Sequence, residues 1–145
     1  MSRSMETKPG NPIDVKGIDH VVIRVDDLEE MIGFYTLVLG CELERGPGDM
    51  GLAQLRAGSA LIDLVDANGP IGKEGGRSPD RNAPNMDHLC LRIDPWDADA
   101  VSAHLEAHDV APGEVMTRYG ADGNGPSMYI TDPEGNNIEL KGPAG

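Results

Sequence analysis

The chain writes one sequence pattern twice, and that repetition restricts its fold more than any other feature. Residues Ile18-Asp19-His20-Val21-Val22-Ile23-Arg24-Val25-Asp26 are echoed by Met86-Asp87-His88-Leu89-Cys90-Leu91-Arg92-Ile93-Asp94, with Asp, His, Arg and Asp at the same offsets. The match resumes at the end of each copy, where Ala60-Leu61-Ile62-Asp63-Leu64 aligns with Asn136-Asn137-Ile138-Glu139-Leu140. Each half therefore opens on a strand bearing a histidine and closes on a strand bearing a carboxylate. A pseudo-twofold relation between the halves is expected to bring His20, Asp63, His88 and Glu139 together. Two imidazoles and two carboxylates suit a divalent metal ion.

Apolar spacing gives the order of elements within each half. Val21, Ile23 and Val25 alternate with His20, Val22 and Arg24; both faces are partly apolar, as expected for a strand covered on each side. Asp26 or Asp27 can cap a helix in which Leu28, Met31, Ile32, Tyr35 and Val38 recur at helical spacing until Gly40. Strands are expected at 41–45, 52–56 and 61–65. The second half repeats this order: a strand at 88–93, and a helix opened by Asp94-Pro95 with Ala98, Val101 and Leu105 on one stripe. Strands at 113–118, 127–131 and 137–141 follow, the last two joined by the Asp132-Pro133-Glu134-Gly135 turn. The fold class is α+β, a tandem of two βαβββ modules at 16–66 and 85–145. A Gly/Pro-rich linker at 67–84 separates them, and residues 1–15 read as a flexible tail in front of a single domain at 16–145. At about 60 residues, neither module buries much apolar surface alone, so the two are expected to share one core.

The chain has 145 residues, 12 basic and 25 acidic, for a net charge of -13. That balance argues against nucleic acid and anionic membranes as partners, both of which call for basic patches. Cys41 and Cys90 are the two cysteines. Without a secretory signal they read as reduced thiols, which places the protein in the cytoplasm.

His20 and His88 occupy equivalent positions beside an aspartate, which favours ligation over two unrelated structural histidines. Glu139 and Asp63 stand between apolar neighbours, where an ionised carboxylate is costly unless a cation offsets it. Glu139 is the stronger candidate, because Asp63 is one methylene shorter. Arg24 and Arg92 share the histidine faces and can bind a substrate carboxylate or phosphate in bidentate fashion. Tyr129 can donate from its phenol to a substrate. His104 and His108, at i and i+4 on the second helix, fall on its solvent face and are left out of the site.

The segments Ile18-Asp19-His20, Phe34-Tyr35-Thr36-Leu37-Val38-Leu39-Gly40, Met86-Asp87-His88 and Tyr129 to Leu140 resemble the vicinal oxygen chelate superfamily. It groups glyoxalase I, fosfomycin-modifying enzymes, bleomycin-binding proteins and ring-cleaving dioxygenases. The resemblance spans roughly Lys16 to Lys141. It implies an open cup of eight strands with helices outside and a divalent ion (Ni, Zn, Fe, Mn or Co) on its floor. The ligands it implies are His20, His88 and Glu139, with Asp63 as a fourth; bacterial glyoxalase I would have glutamate there. It also implies a homodimer acting on a small molecule that chelates the metal through adjacent oxygens. A glyoxalase I-like lyase or isomerase ranks first, with Glu139 as proton-transfer base and Asp63 as second carboxylate. A two-histidine, one-carboxylate extradiol dioxygenase ranks second. A bleomycin-type binder ranks third, because 3% aromatic residues are few for a stacking groove.

Overall fold

In a computed structural model, which describes residues 10–145, the repeat becomes two four-stranded mixed sheets. Residues 1–9 of the expected tail lie outside the described part, and residues 11–19 carry no helix or strand. In the first module, strands β1 (His20–Val25), β2 (Glu42–Arg45), β3 (Leu52–Ala57) and β4 (Ala60–Asp66) form a sheet of order β1-β4-β3-β2. The second module repeats it with β5 (Leu89–Arg92), β6 (Met116–Gly120), β7 (Gly123–Thr131) and β8 (Asn137–Lys141), in the order β5-β8-β7-β6. In each, the first strand pairs parallel to the last and the remaining pairs are antiparallel. The parallel pair is what sets a histidine strand beside a carboxylate strand.

Helix α1 (Leu28–Gly33) is capped by Asp27, whose side chain accepts from the Glu30 amide at 3.0 Å. It widens into a π-helical turn at Phe34–Val38, where the Cys41 amide reaches back to the Tyr35 carbonyl at 2.9 Å. Gly40 then leaves the helix at φ +77°, a conformation a side chain would strain. Helix α2 (Ala98–Ala107) begins later than the sequence pattern suggests. Its cap is Asp97, accepting from the Ala100 amide at 3.1 Å, so Asp94-Pro95 belongs to the connection before it. Strand β6 likewise starts later, at Met116, and a side chain on Gly113 would meet the Tyr129 carbonyl oxygen.

The modules share one core, as their size requires. Ile23, Met31, Tyr35, Leu55, Ile62 and Leu64 of the first join Leu105, Met128, Ile138 and Leu140 of the second in a single buried cluster. Every strand residue in that set lies on the face opposite the histidines and carboxylates. Val22, on the histidine face, stays 53% exposed, so β1 is covered on one side only and not on both as its apolar content suggested.

A buried polar network stitches the modules together. Asp132 Oδ2 accepts from the Tyr35 hydroxyl at 2.7 Å and from Asn136 Nδ2 at 2.8 Å. Its Oδ1 accepts from the Glu134 and Asn136 amides, each at 2.9 Å. Glu134 in turn accepts from the Asp26 and Asp27 amides at the start of α1, each at 2.8 Å. Asn85 completes the seam, donating to Asn136 Oδ1 at 3.0 Å and pairing with both backbone groups of Arg24.

This network makes a stability prediction. Burial, and then the Asp132 charge, hold the Tyr35 phenol far above its ordinary value of 10.0. A raised folded-state value means the contribution of Tyr35 is full below about pH 10 and is lost as the unfolded chain ionises above it. Tyr35→Phe should cost about 1.5–3 kcal/mol in urea denaturation at pH 7, the scale of a hydrogen bond to a charged group. It should also flatten the fall in stability above pH 10.

Candidate metal centre

The parallel pairing of β1 with β4 sets Val22 opposite Asp63, so His20 is the diagonal neighbour of Asp63 on one face. His20 Nε2 stands 4.0 Å from Asp63 Oδ2. Gln54, opposite Asp63 on β3, donates through Nε2 at 3.3 Å. The second module repeats the arrangement more tightly. His88, just before β5, places Nε2 3.2 Å from Glu139 Oε1, and Glu139 is flanked by Cys90 on one strand and Tyr129 on the other.

Each imidazole is oriented from behind by the aspartate that precedes it. Asp19 Oδ1 lies 2.7 Å from His20 Nδ1, and Asp87 Oδ1 lies 2.6 Å from His88 Nδ1. A proton held on Nδ1 by a carboxylate leaves the Nε2 lone pair free, the tautomer a metal ligand needs. The hydrogen bond that His20 donates to Asp19, more than the charge of Asp63, raises the basicity of His20.

Asp63 and Glu139 are 4% and 5% exposed, yet among the described residues neither has a lysine or arginine within ion-pair distance; the ionisable partner of each is its histidine. Two buried carboxylates without a cationic side chain, each beside an oriented imidazole, form a donor set that fits a divalent ion.

The four residues form two pairs, and among the described residues no three His, Cys, Asp or Glu side chains gather closely enough to hold an ion. The reason lies in the core. Both sheets give their apolar faces to one cluster, so their polar faces are turned away from it.

The other candidates separate by role. Arg24 is occupied by the inter-module loop: its guanidinium donates to the carbonyls of Gly72, Gly76 and Arg77 at 3.1, 2.6 and 3.0 Å. It also borders a cleft of about 780 Å³ between residues 79–87 and the β7–β8 turn. Arg92 pairs with Asp122 at 2.9 Å on the surface. Tyr129 packs edge-on against the His88 ring, 5.2 Å between centroids, with the Arg118 guanidinium 4.8 Å from its own centroid. Desolvation and then Glu139 raise the Tyr129 phenol, so it is a neutral donor at physiological pH. His104 Nε2 meets the Val38 carbonyl at 2.9 Å and has a structural role, bridging the two modules.

Sequence reasoning missed Gln54, Cys90 and Lys141. Gln54 needs the β3–β4 register to be found. Cys90 reads as part of an apolar strand but lies exposed on the polar face, its thiol pushed up to about 11 by burial of the sulfur and by Glu139. Lys141 was within reach, since strand alternation puts it on the face of Glu139.

Residues 17–140 match the Glyoxalase/Bleomycin resistance protein/Dioxygenase superfamily. The chain is 33% identical over 129 residues to the glyoxalase domain-containing protein RDO1 of Mycosarcoma maydis, covering 88% of this chain and 69% of that protein. It is 33% identical over 123 residues to the virulence protein STM3117 of Salmonella typhimurium, covering 85% and 81%. The crystal structure of STM3117 superposes with a TM-score of 0.75 over 91% of this chain and 100% of that one, at 26% identity. A lactoylglutathione lyase from Agrobacterium tumefaciens shares the fold, with a TM-score of 0.65 over 91% and 96% at 24% identity.

The loop-holding role of Arg24 can be tested directly. Arg24→Met should speed tryptic cleavage at Lys73 and Arg77 by at least about tenfold, the effect of losing roughly 1.4 kcal/mol of local hydrogen bonding. Cleavage at the wild-type rate would remove Arg24 from that role.

Proposed function

The chain belongs to the Glyoxalase/Bleomycin resistance protein/Dioxygenase superfamily, and from that premise we propose that it is a divalent-metal-dependent, glyoxalase I-like lyase or isomerase. Its site forms in a homodimer, from His20 and Asp63 of one protomer with His88 and Glu139 of the other. The observation that carries this reading is the matched pair of half-sites. Each has an aspartate-oriented imidazole beside a buried carboxylate, on a sheet face turned away from the shared core. A C2 dimer makes two copies of any contact between such faces, so joining unlike half-sites completes two whole sites.

His20, Asp63, His88 and Glu139 would hold a divalent ion of the nickel, zinc, iron, manganese or cobalt class, which when bound would supply Lewis acidity to a small substrate with adjacent oxygens. The chain supplies the rest. Asp19 and Asp87 hold the imidazole tautomers, and Gln54 fixes the Asp63 carboxylate. Glu139 serves as the base that carries a proton between neighbouring substrate carbons. Tyr129, beside Glu139 and neutral, donates to a substrate oxygen. Two free thiols, one buried and one exposed, support a reducing cytoplasmic setting. No helix among the described residues is long and apolar enough to cross a membrane.

His88→Ala should abolish stoichiometric binding of a divalent ion in calorimetry. Unchanged affinity would overturn the ligand assignment. Glu139→Gln should lower turnover of the methylglyoxal–glutathione adduct by at least about a hundredfold, the lower end for a lost general base. No turnover by wild-type protein, loaded in turn with nickel, zinc, cobalt and manganese, would discard the lyase reading while leaving the metal site testable.

A further inference from the structure

Lys141 is the residue that the fold and the proposed chemistry leave unexplained. It is 8% exposed, and among the described residues no carboxylate lies within 4.0 Å of its ammonium. Its recorded hydrogen bond is to the Gly123 carbonyl at 3.0 Å, which uses one of three donors. A buried cation without an anion is costly, and proteins rarely keep one without a partner.

The side chain lies close against its neighbours. It runs across the β6–β7 hairpin over two glycines. A Cβ on Gly120 would come within 2.9 Å of Lys141 Cε, and one on Gly125 within 3.0 Å of Nζ. At Gly125 the tightest contact would be the Pro143 carbonyl oxygen at 2.6 Å, so backbone and lysine together close that side. Arg92 stands directly opposite Lys141 on the neighbouring strand, so two cations are in register. Like charges so placed repel. Asp122 offsets Arg92 alone, at 2.9 Å and with both side chains 62% exposed, so the exchange of one anion for another there is easy. Lys141 and Arg92 line one pocket of about 270 Å³ with His88, Cys90 and Glu139. In a chain with a net charge of -13, this pairing of cations is local and specific.

We infer that Lys141 and Arg92 form an anion subsite for a substrate carboxylate or phosphate, at the far end of the pocket that begins at His88 and Glu139. Along the strands, two to four residues separate the two ends, roughly 7–13 Å at about 3.3 Å per residue. The substrate is thus an acid whose anionic group lies that far from its chelating oxygens. The inference deepens the proposed function and rests on it for the chelating end alone; the anion subsite can be tested in metal-free protein.

The probes are inorganic phosphate and acetate, titrated separately into the full chain and followed by amide chemical shifts. Binding should move the amides of residues 120–125 and 142. Tighter binding of phosphate assigns a phosphorylated substrate, and tighter binding of acetate a carboxylic acid. Lys141→Met should weaken the preferred anion by at least about tenfold, as one charge-assisted hydrogen bond is lost, with Lys141→Arg restoring it. If Lys141→Met does not fold, Arg92→Met at the exposed partner carries the same test. Asp122→Asn should tighten binding by releasing Arg92, an effect no purely structural role for Lys141 produces. Binding of neither anion, shifts elsewhere in the chain, or wild-type affinity in Lys141→Met or in Arg92→Met would overturn the subsite. Retained metal affinity in those variants separates this outcome from failure of the metal centre.

Discussion

Asp132 is the hinge on which the architecture turns. Its two oxygens take four hydrogen bonds, one of them from a tyrosine of the other module, on a residue only 4% exposed. A carboxylate buried there without those donors would cost several kcal/mol. With them, it fixes the turn that carries Glu134 to the start of α1 and Asn136 to Asn85. The apolar core decides that the modules pack together; this network decides how. Apolar burial has little direction, whereas a four-donor carboxylate accepts few alternatives.

That packing has a functional consequence. Because both sheets turn their apolar faces inward, each leaves a polar face with one imidazole and one buried carboxylate. The half-sites are built to the same plan but not equally. His88 and Glu139 lie 3.2 Å apart, whereas His20 and the shorter Asp63 are 4.0 Å apart. Asp63 is held instead by Gln54. The second half also carries the thiol of Cys90, the phenol of Tyr129 and the cations at 92 and 141, so substrate contacts concentrate there.

Much of this was legible in the sequence. The repeat gave the module order, and the faces of His20 and Val22 were set by simple alternation; the parallel pairing of first and last strands came only with the structure. The starts of α2 and β6 were not legible, because they depend on which of several capping and turn residues wins once tertiary contacts form. The DP-x-GN segment could be recognised as a turn, but its reach across the molecule to Tyr35 needed coordinates. Arg24 illustrates the same limit: its position on the histidine face was readable, while its capture by three loop carbonyls depends on the path of residues 72–77. Whether the four ligands meet within one chain or across two was left open by the repeat, because a pseudo-twofold specifies equivalence, not which faces meet.

The central claim is that a complete site needs half-sites from two copies. The most direct measurement mixes His20→Ala and His88→Ala proteins, unfolds and refolds them together, and counts bound divalent ions. Each variant alone should bind none stoichiometrically. In the mixture, each heterodimer regains one intact site, so about a quarter of wild-type capacity should return with random pairing in a C2 dimer. No recovered binding, in a mixture shown by mass to contain heterodimers, would contradict the account.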